Sequence, residues 1–471
     1  MPLKPLTFAA ALGGLCLMST GGLAAEAGSG AALATAAALR DKALTDSTAY
    51  DFLSDLTTEI GPRRAGSSAE HRAAQLAVKK LTAMGFANVH IESFAVPGWT
   101  RGEEKAELVG ENAQRLVIAA LGGSVATPPE GIEAEVAAFA TYKDMLDAPA
   151  GSLKGKIAVV LEPMVRTQDG SGYGMDYMIR GMGASEASKR GAVAYLLRSL
   201  ATDESRAPHT GAMTYAPQVA QIPAAALSAI DADQITRLVA RGKALRMKVV
   251  LTPHFEPGET ADTVVADVIG SEKPQEMVLI GGHLDSWDLG TGAIDDGAGV
   301  ATATAAAKLI LDLPRHPKRT VRLVLFGAEE IGKANGAFAK VHGADQANFV
   351  IASECDFGAE PVYQVKLPKG AAQSPFGQTL SRALKPLPAF ISPVVARDGG
   401  ADFEDLEQTP KAELQQDGTH YFDLHHTAED TLDKVSPQRL ARLVAAWTAF
   451  TYLAAETDVD FRALEKAASA K

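Results

Sequence analysis

Apolar positions along this chain recur with two different periods, and the period changes with place. Over 51–60 the spacing is helical, and the pattern stops before Gly61-Pro62. Ser67 with Glu70 three residues on then makes a capping box. Apolar residues follow at Ala74, Leu76, Ala77, Leu81 and Met84, and Gly85 stands where a glycine commonly closes a helix. Val89, Ile91 and Phe94 lie among polar neighbours, which predicts a strand. The Ala-rich stretch up to about Ser47 predicts only a poorly packed leader helix.

The texture shifts near Pro128. Short strands are predicted at 135–139, 155–161, 192–197, 222–227 and 247–251, with a helix over 231–240. The Gly/Met-rich segment 169–183 reads as a loop. These elements predict a β-rich domain, 128–255, inserted between two parts of another, 45–127 and 256–460. From about Thr260, strand and helix alternate strongly. Strands are predicted at 263–269, 277–280, 320–326 and 349–353, and helices at 297–311 and 437–456. The expected fold class is α/β: a mixed, largely parallel sheet flanked by helices, with the β-rich insertion.

Composition narrows the picture. The chain has 471 residues, 46% hydrophobic and 22% charged, ample for two or three packed domains. A net charge of −12 with no long block of like charge argues against nucleic-acid or anionic-membrane partners. The N-terminus carries a targeting pattern: Lys4, an apolar run from Phe8 to Met18, then small residues with cleavage after Ala24 or Ala27. This predicts a signal peptide over 1–27 and a periplasmic or secreted mature chain. No later stretch reaches the ~20 apolar residues of a membrane span. Cys16 would leave with the signal, so Cys355 stands alone and no internal disulfide is expected.

Candidate chemistry gathers at strand ends. Residues 279–300, LIGGHLDSWDLGTGAIDDGAGV, read as a buried strand, a loop with His283, Asp285, Asp295 and Asp296, and the start of a small-residue helix. Glu329-Glu330 follow one predicted strand, Glu354-Cys355-Asp356 end another, and His425-His426 lie in a late loop. In open α/β sheets, ligands collect at the carboxyl ends of strands. Taken singly, an acidic residue there is ordinarily a helix N-cap or a solvated loop charge. Several buried together need cations or protons. Two divalent metals would neutralise three carboxylates and accept two neutral imidazoles. That donor set suits Zn²⁺, with Mn²⁺ or Co²⁺ as alternatives.

The motifs GGHLDSW, AIDDGAG, FGAEEIG, a Glu-x-Asp after a strand, and HHTAEDT, in this order, resemble the co-catalytic dizinc exopeptidases related to bacterial secreted aminopeptidases and plasma glutamate carboxypeptidase. IGPRRAGS is similar to that family's entry segment, and GKIAVV with GAVAYLL resembles the protease-associated domain that some members carry as an insertion. The resemblance implies two Zn²⁺ per chain. Asp295 matches the bridging carboxylate, with His283 and Asp356 completing one metal site and Glu330 and His426 the other. Glu329 matches the general base, and Asp285 the carboxylate that holds the His283 imidazole. The family's cis peptide bond would fall at Asp295-Asp296. The motif assigns His426 and leaves His425 as a packed or solvent-facing neighbour. Asp296 would orient the loop or cap the helix, and Cys355 would be a core thiol. Asp402 and Tyr421 lie in loops expected to approach the site, without an assigned role.

The implied function is an exported aminopeptidase or dipeptidase acting on short peptides with a free N-terminus. Two metals together acidify a shared water toward a pKa of ~7, and Glu329 would take its proton. A carboxypeptidase of glutamate carboxypeptidase type is the alternative within the same chemistry, and it would want arginine for the substrate carboxylate. A receptor-like, non-catalytic member of the fold would have lost ligands, and the matching set is complete. Single-zinc glutaminyl cyclase chemistry fits the two-metal set less well. A homodimer is compatible with the sequence.

Overall fold

A computed structural model describes residues 20–470, with side chains from residue 30. The expected signal peptide lies outside the described residues apart from 20–27, whose backbone is helical. Among the described residues, no helix is long and apolar enough to cross a membrane.

The fold is mixed α/β. Its main sheet has five strands in the order Ala87–Ala95, Thr260–Val268, Arg319–Phe326, Lys273–His283, Phe349–Glu354. The last three run parallel to one another, and the first two pair antiparallel. The inner strands carry buried apolar runs, as strands covered on both faces do, whereas the edge strand Ala87–Ala95 alternates half-buried and exposed positions. Register matters most at the carboxyl ends. His283 lies opposite Phe326, and Gly281 opposite Glu354. The segments that follow these three strands therefore leave the sheet side by side.

Helix Ala298–Leu311 is built almost wholly of buried Ala, Thr and aliphatic residues and packs under this edge. Helix Pro437–Glu456 lies against it and is buried along most of its length, and a short helix, Phe461–Ser469, follows. The Ala-rich leader is better packed than expected. Helix Thr20–Ala43 lies on helix Pro437–Glu456, with Ala36, Leu39 and Ala43 buried and Arg40 donating to the Ala383 carbonyl. Alanine faces let two helices approach closely, and a hydropathy pattern does not register that. The Ser67 cap forms, accepting from Glu70 N, but the Glu70 carboxylate turns to Gly66 N, so only half the expected box is present.

The inserted domain is centred on a second, eight-stranded sheet. That sheet also takes strands from before residue 128. Strands Glu104–Val109, Gln114–Leu116 and Ile118–Ala120 already belong to it. The first of these buries only Ala106 and Leu108 among charged residues and the others are very short, so no apolar run marks them. A two-stranded ribbon, Gly98–Thr100 with His254–Glu256, joins the domains. The segment expected as a loop over 169–183 is helix Ser171–Lys189. Each helical glycine is unfavourable by about 1 kcal/mol relative to Ala, which is why the stretch reads as a loop. Here close packing uses them: a Cβ on Gly183 would lie 2.3 Å from the Tyr195 ring, and one on Gly172 2.0 Å from the Val165 carbonyl oxygen.

Candidate metal centre

Each candidate side chain is delivered by the end of a strand or by a turn just beyond one. His283 is the last residue of its strand. Asp295 stands before helix Ala298–Leu311, and its peptide bond to Asp296 is cis. Glu329 and Glu330 follow Ala328, whose φ of 63° turns the chain, so neighbouring glutamates that would face apart in a strand reach the same cleft. Asp356 follows its strand by two residues, and His426 sits in a loop with φ 62°.

The geometry centres on Asp295. Its Oδ1 lies 3.2 Å from His283 Nε2, and its Oδ2 lies 3.2 Å from His426 Nε2. Asp356 Oδ1 is 3.6 Å from His283 Nε2, and Glu330 Oε2 is 3.0 Å from His426 Nε2. Glu329 Oε2 stands 3.9 Å from His283 Nε2. One carboxylate thus faces two imidazoles with different oxygens, and each imidazole has a second carboxylate beside it.

Two neighbours come nearly as close. Donor atoms of Asp296 cluster with those of His283 and Asp356, and those of His425 with Asp295 and His426. Both Asp296 oxygens are engaged, Oδ2 by His283 N at 3.0 Å and Oδ1 by Gly299 N at 3.1 Å. Asp296 therefore ties the end of the His283 strand to the first turn of the helix, where Gly297 is the cap residue. His425 is packed: its ring stacks on His426 with centroids 3.5 Å apart, and Tyr173, Tyr421 and Phe422 surround it. Its Nε2 is 3.6 Å from Asp295 Oδ2.

Asp285 does something other than expected. His283 Nδ1 meets the Asp285 backbone carbonyl at 3.0 Å, while the Asp285 carboxylate is 3.8 Å away. That carboxylate instead accepts from Glu329 N at 3.0 Å and Glu330 N at 3.3 Å. It fixes the turn that presents both glutamates.

Electrostatics supply the test of fit. Burial pushes the Glu329 carboxyl well above the usual range, and it raises Asp285 and Asp430 to about 7 each. Burial opposes ionisation of Asp295 too, but the His283 and His426 imidazoles beside it outweigh that and hold the carboxyl well below the usual range. His283 rises well above the usual imidazole value, burial being outweighed by Asp356 and Asp295. Asp295 Oδ2 and Asp356 Oδ1 are buried without hydrogen-bond partners. Clustered carboxylates and orphaned oxygens facing imidazoles fit divalent cations of the zinc type.

Supports came from residues that spacing did not mark. Arg63, within IGPRRAGS, is fully buried and donates to the carbonyls of Leu284, Thr291, Gly292 and Gly61. It clamps both ends of the loop between His283 and Asp295. Asp430 accepts from Ile294 N and Asp295 N. The late HHTAEDT motif contains it, which was the one signal available. Asp402 N donates to Glu354 Oε2 at 2.9 Å, and Tyr421 lines the cleft. Cys355 is buried and accepts from Gln416 Nε2, as a core thiol does. The cleft over the site has a volume of about 810 Å³, and the inserted helix lends it Tyr173, Tyr177 and Arg180.

This fold and donor set define a binuclear metallohydrolase class of site. The model of peptidase family M28 matches residues 263–451. Carboxypeptidase Q of Rattus norvegicus is 36% identical over 418 residues, spanning 87% of this chain and 85% of that protein. Aminopeptidase YwaD of Bacillus subtilis is 22% identical over 447 residues, spanning 90% and 88%. The crystal structure of a peptidase M28 precursor from Shewanella amazonensis is 43% identical, with a TM-score of 0.89 over 92% of this chain and 98% of that one. The chain belongs to peptidase family M28.

Proposed function

We propose that this peptidase is an exported zinc exopeptidase, an aminopeptidase or dipeptidase, that removes N-terminal residues from short peptides. The observation that carries the metal chemistry is Asp295, which turns one oxygen to each imidazole. His283, Asp356 and Asp295 Oδ1 would hold one Zn²⁺; His426, Glu330 and Asp295 Oδ2 would hold the other. Bound there, the pair supplies Lewis-acid polarisation of the scissile carbonyl and an acidified water.

The protein's own part is positioning and proton transfer. Glu330 Oε1 accepts from Trp287 N at 3.2 Å, which leaves Oε2 for the site. Glu329 reaches the cleft and, among the described residues, makes no hydrogen bond to a neighbour's side chain that would hold it back. Its carboxylate takes the proton of the nucleophile and returns it to the leaving amine. The cleft volume suits a short peptide. The N-terminal targeting pattern supports export.

One observation favours a second reading, carboxypeptidase action. Arg180 is 4% exposed, lines the cleft, and has no carboxylate in ion-pair range among the described residues. Such a guanidinium could receive a substrate carboxylate, and relatives bear the name carboxypeptidase Q. A panel of dipeptides and longer peptides, each blocked at one terminus and supplied with Zn²⁺, separates the readings. Loss of cleavage on N-acetylation supports the first. Loss on C-amidation, with acetylated peptides still cleaved, overturns it in favour of the second.

A further inference from the structure

We propose that the inserted domain completes the metal centre: Thr210 is a positioning residue for His426, and Arg101 holds Thr210 in place. This rests on the reading of His426 as a zinc ligand. An imidazole that binds metal through Nε2 carries its proton on Nδ1, and the acceptor of that proton fixes the ring. Here the acceptor is the Thr210 carbonyl, 3.1 Å from His426 Nδ1; Arg180 Nη1 lies 3.4 Å from the same nitrogen and itself donates to that carbonyl at 3.4 Å. Thr210 N donates back to the His426 carbonyl at 3.1 Å. A single residue of the inserted domain thus grips the ligand at two points.

Thr210 is itself anchored. Its hydroxyl donates to the Ala120 carbonyl at 2.7 Å and accepts from Arg101 Nη2 at 3.1 Å. Arg101 directly follows the ribbon strand Gly98–Thr100 that joins the domains. Its remaining N–H groups meet Asp288 from Nε and Nη2, each at 2.9 Å, and Glu104 and the Ala120 carbonyl from Nη1, each at 2.7 Å. Asp288 belongs to the loop between His283 and Asp295. The contacts close a circuit from the metal loop through Arg101 and Thr210 to His426. Steric fit follows the same path, since a Cβ on Gly122 of the inserted domain would lie 2.0 Å from the Trp287 ring, which in turn packs on His426. Docking of the inserted domain and metal binding at the His426 site are one coupled equilibrium.

The test titrates Zn²⁺ into full-length apoprotein against a chromophoric chelator, for wild type, Arg101→Gln, Thr210→Val, Thr210→Ser and His426→Ala. Wild type should bind two ions, and His426→Ala identifies the step belonging to its site. Arg101→Gln should weaken that step by about ten- to a hundredfold and leave the other step unchanged. Thr210→Val should shift it in the same direction and Thr210→Ser should restore it. Excess Zn²⁺ should rescue activity in both weakened variants. Unchanged affinity in folded Thr210→Val and Arg101→Gln, with wild type binding two ions, overturns the proposal and leaves the centre standing. Failure of wild type to bind a second ion overturns the ligand reading, and the proposal with it.

Discussion

Asp285→Asn distinguishes two roles for one buried carboxylate. Ionised above its pKa of about 7, it accepts the N–H groups of Glu329 and Glu330 at 3.0 and 3.3 Å. An Asn of the same shape keeps one acceptor oxygen and turns an NH₂ toward the other N–H. One bond to a charged acceptor is lost, worth about 1.5–3 kcal/mol. If that loss falls on the transition state, kcat drops by about ten- to 150-fold at 1.36 kcal/mol per tenfold. The His283 site should keep its zinc, because the Nδ1 partner there is the Asp285 carbonyl at 3.0 Å, which the substitution retains. The assay pairs kcat at saturating Zn²⁺ with chelator competition, read against His283→Ala and His426→Ala curves that identify the two steps. Wild-type kcat with zinc weakened only at the His283 step would refute this account and restore the carboxylate to the imidazole.

Other expectations follow from the same geometry. Glu329→Gln should retain both ions and lose activity by about 10²–10⁴-fold, checked by metal analysis beside single-turnover rates. Metal removal should abolish activity reversibly and lower the thermal midpoint, since an ion bound only by the folded state stabilises it; calorimetry with and without Zn²⁺ reads this. Burial, with Asp285 nearby, pushes the Glu70 carboxyl up to about 9. A folded pKa above the unfolded value gives stability that is full below the unfolded carboxylate range and is lost as pH rises through about 9. Glu70→Gln should flatten that slope, measured as urea midpoints of zinc-saturated protein at about pH 6 and about pH 8.5. Gly183→Ala should destabilise by about 1–3 kcal/mol through overpacking on Tyr195, read in the same melts.

The candidate site was legible where side-chain type and strand end coincide. His283, Glu329-Glu330 and Asp356 each follow an apolar run whose burial a period of two or a short continuous block reveals. The parallel register then brings those ends together, His283 beside Phe326 and Gly281 beside Glu354. The inserted domain was harder to bound, because Glu104–Val109 carries charge on its exposed positions and looks like loop. Helix Ser171–Lys189 was missed for a related reason. Its glycines weaken the local preference, and only the tertiary contact with Tyr195 and Val165 shows what they are for.

What stayed hidden has a common physical origin: the backbone does it. His283 and His426 both lean on carbonyl oxygens, those of Asp285 and Thr210, and Arg63 holds the loop between His283 and Asp295 through three of its carbonyls. A carbonyl carries no residue identity, so no spacing of letters announces it. Asp285 was conspicuous because it is charged and stands two residues from His283, and that proximity suggested a contact its main chain makes instead. The same reasoning explains why a domain without metal ligands of its own can still belong to the centre. Thr210 acts on His426 through its carbonyl and its N–H, and only its hydroxyl, tied to Arg101 and Ala120, leaves a handle that substitution can reach.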